Sequence, residues 1–345
     1  IPGYTGYTKL MTNVGQTSNR GIELQLNAWL VETKDFSLNA TFNIGHNKNK
    51  IDKLASGEKE WILTSAWRND VVNSDDYRAY VGGTSGLIYG YVNDGFYTVA
   101  DFESFDSKSR TWKLKEGVVD SSPLSDTPRP GNAKFKKLTP VDPNSTNPYQ
   151  LTEADRTVIG NTTPKFSGGF GLNATYKGFD MSMFFNFMYD FDVLNANKIM
   201  LTTWADNKEN NFLMDIASDK RWRNFDDMGN EIRYSPEVLA EFNKNATMWN
   251  PTSIGRPICM SYAVEDGSFL RLNSATLGYT LPSVWTKKVG LSKVRFYVSG
   301  NNLFTLTGYS GYDPEVNIAT GLTPNIDYNR YPRSRTYTFG AQLTF

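Results

Sequence analysis

Two short runs of the sequence combine aromatic rings with carboxylates, a combination suited to binding. The runs contain Tyr89, Tyr91, Asp94, Phe96 and Tyr97, and further along Tyr309, Tyr312, Asp313 and Glu315. Aromatic rings stack on sugars and also anchor protein–protein contacts, while carboxylates accept hydrogen bonds. We predict that these residues contact a ligand or a partner. The alternative is that they only brace the loops that carry them.

Residue types that are typical of catalysis are scarce. The chain of 345 residues has one cysteine, Cys259, and one histidine, His46. A zinc site of the usual kind needs several such ligands, and a Cys/His nucleophile needs both groups together with further partners. We therefore interpret both residues as structural and expect no enzymatic activity.

The charge balance argues against a polyanionic partner. The 36 basic and 36 acidic residues give a net charge of zero, so no nucleic-acid-binding surface is expected. No stretch approaches the roughly 20 apolar residues that a membrane-spanning helix needs. Aromatic residues make up 14% of the chain, which is a high share. Low average hydropathy does not exclude a membrane β-barrel, because the strands of a barrel alternate and their signal averages away.

The elements that must position the two runs are strands. Alternation of apolar and polar residues predicts them near residues 19–31, 36–47, 165–176, 179–188, 268–281, 292–303 and 334–345. A period of two gives each strand one apolar and one polar face. In the last strand Tyr337, Phe339, Leu343 and Phe345 share the apolar face, and we interpret this strand as the one that closes a barrel. A change of phase near Asn273 predicts a β-bulge.

Short and long connections alternate between these strands. The long ones, 48–164, 190–267 and 304–333, are predicted to be extracellular loops, and the short ones periplasmic turns. Within them we predict a small strand or hairpin at 90–97 and a helix at 235–242. Binding candidates in the second loop are Asp206, Trp222, Arg223, Trp249 and Asn250. An odd set of seven strands cannot close in lipid by itself, so further strands are expected; a soluble β-sandwich is the structural alternative.

Several motifs, in this order along the chain, resemble SusC/RagA-type TonB-dependent outer-membrane transporters. They are SNRGIEL (18–24), NKNKI (47–51), YGYVNDGFY (89–97), DRTVIGN (155–161), YKGFD (176–180), GSFLRL (267–272), LGYTLP (277–282), VSGNNLF (298–304) and GYDPE (311–315). The resemblance runs from about residue 15 to Phe345 and implies the C-terminal part of a large all-β, antiparallel transmembrane barrel of about 22 strands. Each motif alone is a weak signal, and together they are specific.

The resemblance also implies a function and partners. It implies an outer-membrane, TonB-dependent importer of oligosaccharides or peptides, with a SusD-like lipoprotein lid and with a plug and TonB box outside these 345 residues. The aromatic and acidic runs would then contact lid or ligand, and the terminal strand would carry the barrel-closing signal. A passive porin or an adhesin-type barrel is the functional alternative.

One departure from the family pattern concerns calcium. The resemblance implies an acidic calcium-type loop before Asp155, but here only Asp142 and Asn144 remain as oxygen ligands in the stretch 137–146. A calcium loop needs several carboxylates and carbonyls. We therefore expect no metal or other cofactor, with calcium at Asp142 as the one alternative.

Overall fold

The computed structural model of the chain describes residues 15–67, 75–203, 211–255, 257–317 and 321–345. Its strands are β1 (Gly15–Glu32), β2 (Phe36–Leu54), β3 (Glu60–Leu63), β4 (Tyr77–Tyr80), β5 (Leu87–Gly90), β6 (Asn93–Phe96), β7 (Phe102–Asp106), β8 (Thr111–Leu114), β9 (Ala133–Phe135), β10 (Thr157–Asn161), β11 (Phe166–Tyr176), β12 (Phe179–Tyr189), β13 (Asp192–Asn195), β14 (Val264–Asp266), β15 (Phe269–Thr280), β16 (Lys293–Thr307), β17 (Ile326–Asp327) and β18 (Thr336–Thr344).

Helical structure in the described residues is short. The α-helices are α1 (Ala196–Met200), α2 (Pro236–Phe242) and α3 (Ser283–Thr286), and 3-10 turns lie at Ala55–Gly57, Val99–Asp101, Glu153–Asp155, Met214–Ile216, Pro251–Ser253, Ser261–Ala263 and Lys287–Val289. The helix predicted at 235–242 is α2, with Pro236 in its first turn. In the described part of the chain, no helix is both long and apolar enough to cross a membrane.

Seven long strands form one antiparallel sheet, which we call the wall. Its order is β1-β2-β11-β12-β15-β16-β18, with β1 and β18 at its edges. Each of the seven alternating segments in the sequence lies in one wall strand. Residues 15–18, 48–54 and 304–307, which the sequence predicts as loop, lie in β1, β2 and β16, because backbone pairing continues beyond the point where hydrophobic alternation stops. The predicted all-β, antiparallel fold class is confirmed.

The two faces of the wall differ sharply in chemistry. The apolar face exposes large side chains from edge to edge, from Ile22 in β1, 78% exposed, to Phe339 in β18, 80% exposed. On the polar face, side chains form hydrogen bonds across strands: the hydroxyl oxygens of Thr276 and Ser299 lie 2.7 Å apart, and those of Ser37 and Thr175 lie 2.6 Å apart. A continuous exposed apolar face of this size marks a lipid or protein contact surface.

Two irregularities of the alternation have a structural reason. Phe184 points to the polar face, where its ring covers Gly169; a Cβ there would lie 3.0 Å from the Phe184 Cζ atom. The pairing of β15 with β16 shifts register between Leu272 and Ser274, which confirms the predicted bulge. The shift keeps Leu270 and Leu272 on the apolar face and places Arg271 on the polar face.

Candidate functional site

The three long connections fold together into one body at one end of the wall, which we call the loop layer. The Tyr77 hydroxyl donates to the Pro324 carbonyl at 2.5 Å, and the Tyr91 N–H donates to the Cys259 carbonyl at 3.0 Å. Strand β13 of the second connection pairs antiparallel with β14 and parallel with β17 of the third. The buried apolar clusters lie in this layer, so each loop depends on the other two for its shape.

The segment 87–96 is built by partners distant in sequence. Strand β5 pairs with β4 and β10, whereas β6 pairs with β9. The two short strands therefore do not form a hairpin with each other. The hairpin alternative for residues 90–97 is wrong, because the chain between them turns away to bridge Tyr91 to Met260.

In the first run, Tyr91 and Tyr97 are buried in the loop layer. The Tyr97 hydroxyl donates to the Val119 carbonyl at 2.5 Å and accepts from the Ser121 N–H at 3.0 Å. Burial raises the pKa of Tyr97 to about 12, so the hydroxyl stays protonated and keeps donating. Both side chains are buried within the loop layer and are not presented at its surface.

The other members of the first run lie nearer the surface. The Tyr89 ring is half-buried, with the Arg156 guanidinium carbon 4.5 Å from its centroid. Phe96 packs against Trp222 at a centroid distance of 5.7 Å. Asp94 is exposed and lies 3.9 Å from the ammonium groups of Lys134 and Lys136. Of these three residues, only Asp94 is exposed.

In the second run, three of the four residues are tied into buried polar networks. The Tyr309 hydroxyl donates to Asp327 at 2.8 Å, and burial together with that carboxylate raises the pKa of Tyr309 far above its ordinary value. The Asp313 carboxylate accepts a hydrogen bond from the Arg271 guanidinium at 2.6 Å, and Glu315 lies 3.0 Å from the Arg271 Nε atom. Burial alone raises the pKa of Asp313, but the hydrogen bonds from Arg271 outweigh it and hold the pKa below its usual value.

Tyr312, the fourth residue of that run, lines an open cleft. Tyr312 and Tyr331 are 84% and 86% exposed, and both border a cleft of about 720 Å³. Its polar lining comprises Asn195, Asn197, Lys198, Ser310, Asn329 and Arg330. We call this site the tyrosine cleft; its volume lies in the range of organic ligand sites, about 300–1,000 Å³.

Two residues that line the tyrosine cleft, Asn197 and Lys198, are held in place by buried or half-buried carboxylates outside the cleft. The Asn197 amide donates to Asp327 at 3.1 Å, and the Lys198 ammonium lies 3.5 Å from Glu265. Arg330, by contrast, has no ion pair among the described residues. Tyr331 is not among the binding candidates predicted from the sequence. The feature that could have indicated it is the polar and aromatic run Asn329–Arg333, which follows the run 309–315 within the same loop.

None of the remaining candidates that the structure describes lines the tyrosine cleft. Trp222 and Trp249 are buried in the loop layer, and Asp206 lies outside the described residues. Asp142 accepts the Asn144 N–H at 2.9 Å in an exposed turn. Asp155 is fully buried and accepts the N–H groups of Leu138 and Thr139. No cluster of three or more potential metal ligands is found in the described part of the chain.

These features define a section of a large antiparallel β-barrel: an apolar outer face, a polar inner face and a folded loop layer at one end. Over its whole length the chain is 31% identical to TonB-dependent receptor P3 of Formosa agariphila and 26% identical to TonB-dependent receptor SusC of Bacteroides thetaiotaomicron. It spans about 30% of the length of the first relative and 28% of the second. No family model matches the chain.

The solved structures agree with this fold. A structure described as the RagAB peptide transporter superimposes on the whole chain with a TM-score of 0.64 at 22% identity, and the match covers 31% of that chain. The same complex in its open-open state gives a TM-score of 0.62. Together with the sequence matches, this fold confirms the predicted resemblance to SusC/RagA-type TonB-dependent outer-membrane transporters along this chain.

Proposed function

We propose that the protein is a TonB-dependent active importer of the outer membrane. The observation that carries this proposal is the alignment of the entire chain with proteins named TonB-dependent receptors. In the proposal the apolar face of the wall meets lipid, and the polar face lines the passage that the substrate follows. The function is capture and transport, without a chemical step on the substrate.

We further propose that the tyrosine cleft takes part in substrate capture, and that oligosaccharides rather than peptides are its ligands. Exposed tyrosine rings can stack on the faces of sugar rings. Asn195, Asn197 and Asn329 add side-chain amides, which both donate and accept hydrogen bonds and so match pairs of sugar hydroxyls. The lining contains no carboxylate that could hold a peptide amino group, and the guanidinium of Arg330 can donate hydrogen bonds to sugar hydroxyls.

Two partners complete the proposal. A SusD-like surface lipoprotein covers the loop layer and closes the tyrosine cleft, with Tyr312 and Asp94 exposed towards it. Energy comes from TonB, through a part of the relatives' length that this chain does not span. A lid over exposed rings would remove them from water, as buried aromatic residues do at the centre of protein interfaces.

Uptake measurements in cells test the proposed function. Cells that carry the wild-type protein are expected to import a labelled oligosaccharide, and loss of TonB is expected to abolish import. Uptake that persists without TonB would identify a passive porin. Import of labelled peptides in place of oligosaccharides would leave the importer intact and overturn the assignment of the substrate class.

A further inference from the structure

The apolar face of the β1–β2 hairpin changes chemistry near the loop layer. Moving towards that layer, residues that face each other across the two strands are Ala28 and Ala40, Leu26 and Phe42, Leu24 and Ile44, Ile22 and His46, Arg20 and Lys48, and Ser18 and Lys50. An apolar stripe therefore passes within a few positions into a cationic cluster made of Arg20, Lys48 and Lys50, which we call the basic cluster.

The basic cluster points away from the loop layer. At the same level the intervening residues point the other way: the amides of Asn47 and Asn49 donate to Asn19 at 3.3 and 3.0 Å, and Ile51 is buried. Lys48 and Lys50, in contrast, are exposed. The three cations thus continue the apolar face and take no part in packing the loops.

One acid balances the three cations of the basic cluster only in part. Arg20 stands directly opposite Lys48, and like charges in that arrangement destabilise a sheet. That acid is Asp52, 4.0 Å from Lys50, and neither Arg20 nor Lys48 has an ion pair among the described residues. The basic cluster, Ser18 and Asp52 together line a cleft of about 280 Å³. This volume is large enough for one anionic group.

The level of the cluster matches that of lipid headgroups. The apolar stripe of β1 runs from Ile22 to Leu30, which is about 26 Å along the strand. With the strand tilt of about 35–45° found in outer-membrane barrels, this stripe is roughly 20 Å high and approaches their apolar band of about 25 Å. Arg20 lies two residues beyond the stripe, about 5 Å higher by the same geometry, where headgroups replace acyl chains.

We propose that Arg20, Lys48 and Lys50 bind the phosphate of a membrane lipid in the leaflet on the loop-layer side. The guanidinium and ammonium groups form charge-assisted hydrogen bonds to phosphate oxygens, and the bound phosphate relieves the repulsion between Arg20 and Lys48. This inference rests on the proposed contact of the apolar face with lipid, and it adds a specific lipid site to that contact.

Lipid binding by the detergent-solubilised protein, in the form the cell produces, tests the site. The probes are phosphatidic acid, diacylglycerol with the same acyl chains, and inorganic phosphate, with bound lipid counted by native mass spectrometry. The test variant carries Arg20→Gln, Lys48→Gln and Lys50→Gln. The control variant carries Lys34→Gln, Lys287→Gln and Lys288→Gln, which remove three exposed cations from the short turns at the opposite end of the wall.

We expect the test variant to bind phosphatidic acid about tenfold or more weakly than wild type, since each basic side chain near anionic lipid contributes to binding. The control variant and the diacylglycerol titrations should match wild type. Equal binding of phosphatidic acid by wild type and test variant would overturn the site. Displacement of the lipid by equimolar inorganic phosphate would identify a free-anion site instead. Recovery of wild type without detergent would refute the membrane proposal itself.

Discussion

Arg271 and Asp313 form a buried ion pair that joins the wall to the loop layer. The Arg271 Nη2 atom lies 2.6 Å from Asp313 Oδ1, and the two side chains are 3% and 5% exposed. Glu315 lies 3.0 Å from Arg271 and 3.3 Å from a second arginine, Arg333, and so connects the two. Because Arg271 projects from the polar face of β15, this network fixes the third loop, with Tyr312 beside Asp313, over the inner side of the wall.

Replacing Asp313 should loosen the third loop. Asp313→Asn keeps the shape of the side chain but removes one of two carboxylates that face a buried guanidinium, and breaking such a pair costs about 3 kcal/mol. We expect faster proteolysis of residues 308–335 in the folded protein. Glu241→Gln is the control, because its ion pair with Lys244 is exposed and contributes under about 1 kcal/mol. Equal proteolysis of both variants would contradict the tethering role.

The wall was predictable from sequence because its signal is local. Alternation along one strand, as in 334–345, depends on which face each residue occupies and not on its partners. The strand ends were not predictable, since Lys48 and Lys50 continue β2 by backbone pairing alone. The bulge near Asn273 could be read because a change of phase is itself a local feature of the pattern.

The loop layer was far less predictable, because its contacts join residues distant in sequence. The strand predicted at 90–97 overlaps β6 (Asn93–Phe96). The position of Tyr97, however, depends on Val119 and Ser121, and the backbone of Tyr91 is held by Cys259. Composition alone could not separate these buried residues from the exposed Tyr312. Tyr331 has no periodic pattern around it, so only the folded cleft reveals it.

Asp76 should make the loop layer sensitive to pH. Its fully buried carboxylate accepts the Ser65 N–H at 2.7 Å, and burial raises the pKa of Asp76 from 3.8 to about 6. A raised folded pKa gives stability that is fully present below pH 3.8 and is lost as pH rises through about 6. The loss is about 3 kcal/mol for a shift of this size.

The measurement is thermal unfolding of the loop layer, followed by tryptophan fluorescence across this pH range. Asp76→Asn should remove this part of the pH dependence, because the amide stays neutral and its oxygen still accepts from Ser65. Asp219→Asn, a change at an exposed carboxylate, serves as the control and should keep the wild-type profile. An unchanged profile in Asp76→Asn would show that another group titrates.

Gly168 should be essential for the pairing of β11 with β2. A Cβ at this position would lie 2.2 Å from the backbone oxygen of Asn43, and backbone atoms within a sheet cannot move aside without separating the strands. We expect Gly168→Ala to lower the free energy of unfolding in urea by about 1–3 kcal/mol. Gly45→Ala is the matched control on the neighbouring strand, where the nearest atom is 3.6 Å away, and should change stability by about 0.5 kcal/mol or less.

The tyrosine cleft predicts how single rings contribute to substrate affinity. Tyr331 is exposed and lines the cleft, so Tyr331→Ala removes a stacking surface without disturbing the core. Such a contact is worth about 0.5–1.5 kcal/mol, which corresponds to about a two- to tenfold loss of affinity for the imported oligosaccharide. Tyr331→Phe retains the ring and should bind almost as wild type.

Isothermal titration of the purified protein with the oligosaccharide measures this effect. Phe225→Ala is the control, because Phe225 is a partly exposed ring outside the cleft. Tyr312→Ala should weaken binding by a similar factor to Tyr331→Ala, since both rings border the same volume. Equal affinities of wild type, Tyr331→Ala and Tyr312→Ala would place substrate capture elsewhere on the loop layer. Equal losses of affinity in Tyr331→Ala and Tyr331→Phe would show that the hydroxyl, and not the ring, makes the contact.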